Sequence, residues 1–324
     1  MYQFESVKLE KGMYHLTNKS FLQALEAADP SAQYANSPLS GLDAYERQLK
    51  RFDIHVSGAN CDRVEKFFTT TESAVLFPEF VRRAIMQGME ETILPEITAV
   101  ISKSSSSSYK GCDLSDTNNY STTTAGKELP VSSIEESSEL ITLDKYGRNI
   151  QASYEALRQQ RLDVFAVMLR RVGCRLADSI ADKAVSVLKT SSSGAKISVA
   201  SNSLAYANLA ELYGKFTSFK MKAMLASPAN MAKILTMSQL QEISSQDVTQ
   251  IRLPFGTKLI NCPQLDDNTI LGVDTDFALE QIQYGDVILE TDKLIDRQMD
   301  SITVSATISF RTLMADAVNM IQLT

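Results

Sequence analysis

Residues 140–188 read LITLDKYGRNIQASYEALRQQRLDVFAVMLRRVGCRLADSIADKAVSVL, and this stretch decides the fold. Ser153 is placed to cap a helix, and Glu155 sits in the first turn, where the positive end of the helix dipole favours a carboxylate. Tyr154, Leu157, Phe165, Met168, Val172, Leu176, Ile180, Ala184 and Val187 then recur three or four residues apart. That spacing predicts one helix running to Lys189, ended by Thr190-Ser191-Ser192-Ser193-Gly194. At ~1.5 Å per residue it would be roughly 50 Å long. The spacing drifts from a strict heptad and Gly173 lies inside it, which argues against a coiled coil.

Upstream of this helix, Ile134 to Leu143 reads as a strand returning from a stretch rich in Ser, Thr, Asn and Gly that begins at Ser102, includes Ser104 to Ser108 and ends near Gly126. Such a stretch cannot build a core. With regular structure on both sides, it reads as the tip of a long exposed hairpin. Before it, FFTTTESAVLFPEFVRRAIMQGMEETILPEITAVI at 67–101 places Val81, Ile85 and Met89 on a short amphipathic helix bracketed by Pro78 and Pro95, followed by an apolar strand from Ile97 to Ile101. Residues 1–66 read as a polar extension with short helical pieces. Leu42, Tyr45, Leu49 and Phe52 make one apolar stripe there, open to packing on the chain's own core or on a neighbouring molecule.

Downstream, residues 200–280 alternate helix and strand. Helices are predicted over Leu204 to Phe216 and Ala229 to Met237, the second just after Pro228; strands are predicted over Lys222 to Ala226, Thr257 to Asn261 and Thr269 to Val273. In the tail, Ile302, Val304, Ala306, Ile308 and Phe310 alternate with Ser301, Thr303, Ser305, Thr307 and Ser309, the pattern of a strand with one buried and one wet face. No fixed-period repeat emerges. The fold class is α+β with one dominant helix.

Composition narrows the function. A hydrophobic fraction of 44% with 22% charged residues belongs to a folded protein. No apolar run is long enough to span a bilayer, and MYQFESVKLEKG carries no leader pattern, so a cytoplasmic protein with no membrane partner is expected. Cys61, Cys112, Cys174 and Cys262 are too widely spaced for a zinc site or a disulfide framework and read as free thiols. The formal net charge of −7 disfavours a sequence-specific DNA reader and suits a container for DNA.

The residues of chemistry are sparse. His15 and His55 are the two histidines, both in the extension, and neither has a triad or metal cluster around it in the sequence. Phosphate-binding glycine loops are absent; Gly126-Lys127 is followed by Glu128 with no strand before it. Glu90-Glu91, Glu135-Glu136 and Asp266-Asp267 are adjacent acids whose side chains diverge, so they read as solvated charge. Arg158, Arg161, Arg170, Arg171 and Arg175 on the long helix alternate with Glu155, Asp163, Asp178 and Asp182 and read as an ion-paired solvent face. No catalytic, cofactor-binding or metal-binding residue is assigned, and no enzyme activity is expected.

The ordered set of LFPEFVRRAI at 76–85, the 140–188 stretch and ITVSATISFRTLMADAVNMIQL at 302–323 resembles the tailed-bacteriophage major capsid proteins, whose Hong Kong 97-type fold is shared with encapsulins. Lys145, Gly147, Ser153 and Glu155 match the family's junction into its spine helix, and the resemblance covers roughly residues 67–324. It implies an N-terminal extension at 1–66, a peripheral domain from 67–101, 147–199 and 281–324, an extended loop at 102–146 lying on a neighbour, and an axial domain at 200–280. It further implies hexamers and pentamers of an icosahedral head that encloses double-stranded DNA, with a scaffolding protein, a portal and decoration proteins as partners. The head would be assembled in a bacterial cytoplasm, and the DNA contact would be non-specific. The family's lysine–asparagine cross-link would need Lys127 or Lys145 in the loop and Asn319 near the end; a solvated lysine is the plainer reading. Two alternatives remain: an encapsulin-like compartment shell, and an α/β enzyme centred on 200–280, which lacks a catalytic constellation.

Overall fold

The computed structural model describes residues 3–14, 16, 19–115, 122–129, 131–192, 196–200, 203–241, 251–294 and 296–324. The chain divides into two compact units: unit 1 holds 1–91, 147–177 and 288–305, and unit 2 holds 92–146, 178–287 and 306–324.

The core of unit 1 forms where two helices touch. Helices α1 (Phe21–Ala28), α2 (Ala44–Arg51) and α3 (Thr71–Ala74) lead to α4 (Phe77–Glu90), which starts with a proline in its first turn, where a missing N–H costs nothing. Val81 and Ile85 of α4 are buried as the sequence predicts. After α5 (Leu94–Ile97), strands β1 (Val100–Ser104), β2 (Ser108–Tyr109), β3 (Cys112–Ser115), β4 (Ser133–Glu136), β5 (Ile141–Thr142) and β6 (Asp144–Ser153) lead to α6 (Tyr154–Gln159) and α7 (Leu162–Ser191). Ile97 therefore lies in a helical turn, and the strand expected from it begins at Val100.

Helix α4 meets α7 at two glycines. A Cβ on Gly173 would lie 2.1 Å from the Ile85 carbonyl oxygen, and one on Gly88 would lie 2.0 Å from that of Arg170. Beside this crossing Phe67, Phe77, Phe80 and Phe165 pack with ring centroids 5.6 to 6.4 Å apart.

The predicted single helix from Ser153 to Lys189 is two. Ser153 caps α6, its hydroxyl accepting from the Ala156 N–H at 3.3 Å, but Gln160 is extended with ψ 143°. The cause lies far away in sequence: the Val64 N–H donates to the Gln160 carbonyl, and the Leu162 N–H donates to that of Asp62, each at 2.9 Å. The buried line of α7 also differs. Leu162, Phe165, Leu169, Leu176, Ile180, Ala184 and Leu188 are buried, whereas Met168 is exposed beside Val164 and Val167. The arginines are only partly ion-paired. Arg161 pairs with Asp163 at 2.7 Å, Arg158 lies over the Phe68 ring, and Arg170 turns its Nε inward.

The N-terminal extension carries a core of its own, made by Phe4, Tyr34 and Leu39 with Leu42 against them. At its centre Arg47, wholly buried, donates from Nε to Asp29 Oδ2 at 2.6 Å and from its terminal nitrogens to the carbonyls of Leu42 and Asp29. The Tyr34 hydroxyl donates to the other Asp29 oxygen at 2.6 Å. Each charge is thereby matched, as burial demands. Tyr45 and Leu49 of the predicted stripe are buried on the chain's own core, and Asp43 binds Arg83 of α4 at 2.6 Å.

Unit 2 contains a mixed sheet. After β7 (Lys196–Val199), α8 (Tyr206–Gly214), β8 (Ala223–Ala226), α9 (Pro228–Leu235) and α10 (Ser238–Gln241) come β9 (Lys258–Asn261), β10 (Thr269–Val273), β11 (Leu279–Leu294), β12 (Met299–Thr312) and β13 (Val318–Leu323). Five strands pair in the order β7-β13-β10-β8-β9, with β7 and β13 drawn from outside 200–280. Leu209 and Leu212 of α8 and Ile234 of α9 pack with Met224, Ile270 and Ile321 in its core. A second sheet has the order β1-β11-β12-β6. The alternating tail is β12, but its serine face is not wet. Ser301, Ser305 and Ser309 are buried too, because β12 is an inner strand; Ser301 donates to Asn149 at 2.9 Å. Small hydroxyl side chains satisfied by neighbours fit such a position.

Gly173→Ala discriminates between local propensity and packing. Helix propensity alone would stabilise the subunit by about 1 kcal/mol, whereas the clash with Ile85 is expected to destabilise it by about 2 to 3 kcal/mol. Urea unfolding of the isolated subunit measures the sign, and a gain in stability would contradict the crossing.

Candidate assembly interface

The hairpin at 102–146 is built on a charged root. β1 runs parallel to β11, with Val100 opposite Glu280, and β3 pairs antiparallel with β4, with Cys112 opposite Glu136. Glu280, 3% exposed, collects donors from two hairpin-side hydroxyls and from β12. Its Oε1 accepts from the Ser102 hydroxyl and from the Tyr109 hydroxyl at 2.8 Å, and its Oε2 accepts from Arg311 Nε at 2.5 Å. Arg311 continues outward, donating to Asp113 Oδ1 at 3.1 Å and to the Cys112 carbonyl at 2.8 Å. A Cβ at Gly111 would lie 2.0 Å from the Arg311 guanidinium carbon, so a larger residue there displaces the Arg311 side chain. One carboxylate and one guanidinium thus tie β1, β2 and β3 to β11 and β12.

The electrostatics follow from that geometry. Burial pushes the Glu280 carboxyl up, but the donors from Ser102, Arg311 and Tyr109 outweigh it and hold the group below its ordinary value. Burial alone would lower the Arg311 guanidinium; the Glu280 and Asp113 carboxylates raise it instead. Burial, then donation to Glu280, raises the Tyr109 phenol.

Beyond the root the hairpin exposes apolar surface. Leu129, Val131 and Ile134 are 73 to 74% exposed, and Leu114 and Leu140 at least half. Glu128, Glu135, Glu136 and Glu139 stand exposed among them. Uncovered apolar side chains at this density mark a surface that another molecule covers.

The residues singled out in the sequence do not converge. Lys127 and Lys145 are exposed, while Asn319 is 8% exposed within β13, opposite Gly272 of β10. His55 faces Asp62 at 3.3 Å on the surface, and His15 lies outside the described residues. Glu90, Glu91, Glu135 and Glu136 are exposed. Asp266 pairs with Lys189, and Asp267 accepts from Ser227 at 2.6 Å. Among the described residues no group of three or more His, Cys, Asp or Glu could hold a metal ion, and no helix is long and apolar enough to cross a membrane. The four cysteines are free thiols, and burial pushes Cys262 up to about 11, far from a reactive thiolate. Sequence reasoning missed Glu280, Arg311, Tyr109 and Gly111. The one signal is that Arg311 is the single basic residue of β12; Glu280 carries none, because β11 holds several other charged residues.

Glu280→Gln tests the root. A carboxyl held low in the folded state contributes stability above its ordinary value, near 4.5, and loses it as pH falls through the folded value. The variant is expected to be less stable by about 3 kcal/mol at neutral pH, the cost of unpairing a buried charge. The gap should narrow toward about pH 3. Urea unfolding across that range measures it; a gap that does not change with pH would contradict the assignment.

The fold and this surface can be set beside known proteins. The virus-like particle from Pyrococcus furiosus is 13% identical, with a TM-score of 0.56 over 75% of this chain and 98% of that chain. The capsid of a native GTA particle is 13% identical at a TM-score of 0.55, over 71% of this chain and 89% of that one. The capsid structure of cyanophage P-SCSP1u is 12% identical at 0.55, over 71% and 87%. These likenesses establish the Hong Kong 97-type fold. No curated protein sequence matches the chain. The family described as phage capsid protein matches residues 135–316, more than half of the sequence and a span that includes β6, the long helix, Glu280 and Arg311. The chain belongs to the phage capsid protein family and is a structural subunit of a virion shell.

Proposed function

We propose that this chain is the major capsid protein of a tailed phage, copies of which close as hexamers and pentamers into an icosahedral head around double-stranded DNA. The observation that carries the reading is the hairpin: a rigid, charge-locked root bearing apolar side chains that the subunit itself leaves uncovered. In this reading 102–146 lies on a neighbouring subunit, 200–280 is the axial domain meeting its copies at capsomer centres, and 67–101, 147–199 and 281–324 form the peripheral domain. Residues 1–66 are the N-terminal extension. A subunit that serves both five-fold and six-fold rings needs such contacts to adapt around fixed cores.

The shell is held by noncovalent contacts, since Asn319 is buried within its sheet and the loop lysines are solvated. The net charge of −7 supports a lining over which packaged DNA slides, with only non-specific contact. A scaffolding protein, a portal and decoration proteins are the further partners, and assembly takes place in the cytoplasm of a bacterial host. Catalysis has no part in this role. The family match favours a phage head over an encapsulin-like compartment that encloses enzymes.

Negative-stain imaging of the purified protein is expected to show closed shells, holding DNA when isolated from infected cells. Shells filled with protein would favour the compartment, and dispersed monomers at all concentrations would overturn both. Replacing residues 116–132 by a short Gly-Ser turn should change subunit stability by no more than about 1 to 2 kcal/mol while suppressing closed particles. Normal shells from the shortened chain would remove the hairpin from assembly.

A further inference from the structure

We draw no further inference here: the strongest candidate, the exposed apolar face that Val164, Val167 and Met168 make on the outer side of α7, carries nothing, because nothing in the structure shows what covers it.

Discussion

Helices α4 and α7 approach until backbone meets backbone at Gly88 and Gly173, and the rest of unit 1 is arranged on that contact. A glycine inside a helix costs about 1 kcal/mol relative to alanine, so its presence at both sides of one crossing needs a return. That return is the close seating of Phe77 and Phe80 against Phe165, and a firm α4 whose other faces are free to hold the N-terminal segment. Glu79, buried in α4, orients Arg82 and Arg83, and Arg83 in turn binds Asp43. The chain thus passes from a steric constraint to an aromatic core, and from there to a charged clasp that ties the start of α2 to α4.

Much of this was legible in the sequence, and the failures have physical causes. Helical spacing located α4, α7, α8 and α9, and the contrast between a serine-rich stretch and its apolar flanks located the hairpin. Both are local patterns. The break at Gln160 was not legible, because it is imposed by backbone hydrogen bonds from Asp62 and Val64, about a hundred residues earlier. The spacing places Met168 on the buried line because it sits one position from the true line through Leu169; a one-residue shift in a helix turns the face by about 100°. Alternation predicts a wet serine face for β12 because it reports polarity, while burial of small hydroxyls depends on what lies alongside. The Glu280–Arg311 root gathers residues up to 199 apart in sequence, which no local pattern encodes.

The function of such a chain is written in what it leaves unsatisfied. The buried charges Arg47 with Asp29, Glu79 with Arg82 and Arg83, and Glu280 with Arg311 are matched internally and serve to position chain segments. The unmet surface is apolar and lies on a hairpin and on the outer face of a helix. Each is small, and neither would hold two molecules together for long by itself. In the proposed shell repetition changes that, because the contact recurs at every subunit and none opens without straining its neighbours.

The central claim is that surfaces uncovered in the subunit become covered in the shell, while the core is the same in both. Amide hydrogen exchange compared between dispersed subunits and assembled particles tests it most directly. The account predicts that amides of Ile134 to Glu136 slow on assembly, and that those flanking Gly88 and Gly173 are protected in both states. Exchange in β4 that is as fast in closed particles as in free subunits would contradict it.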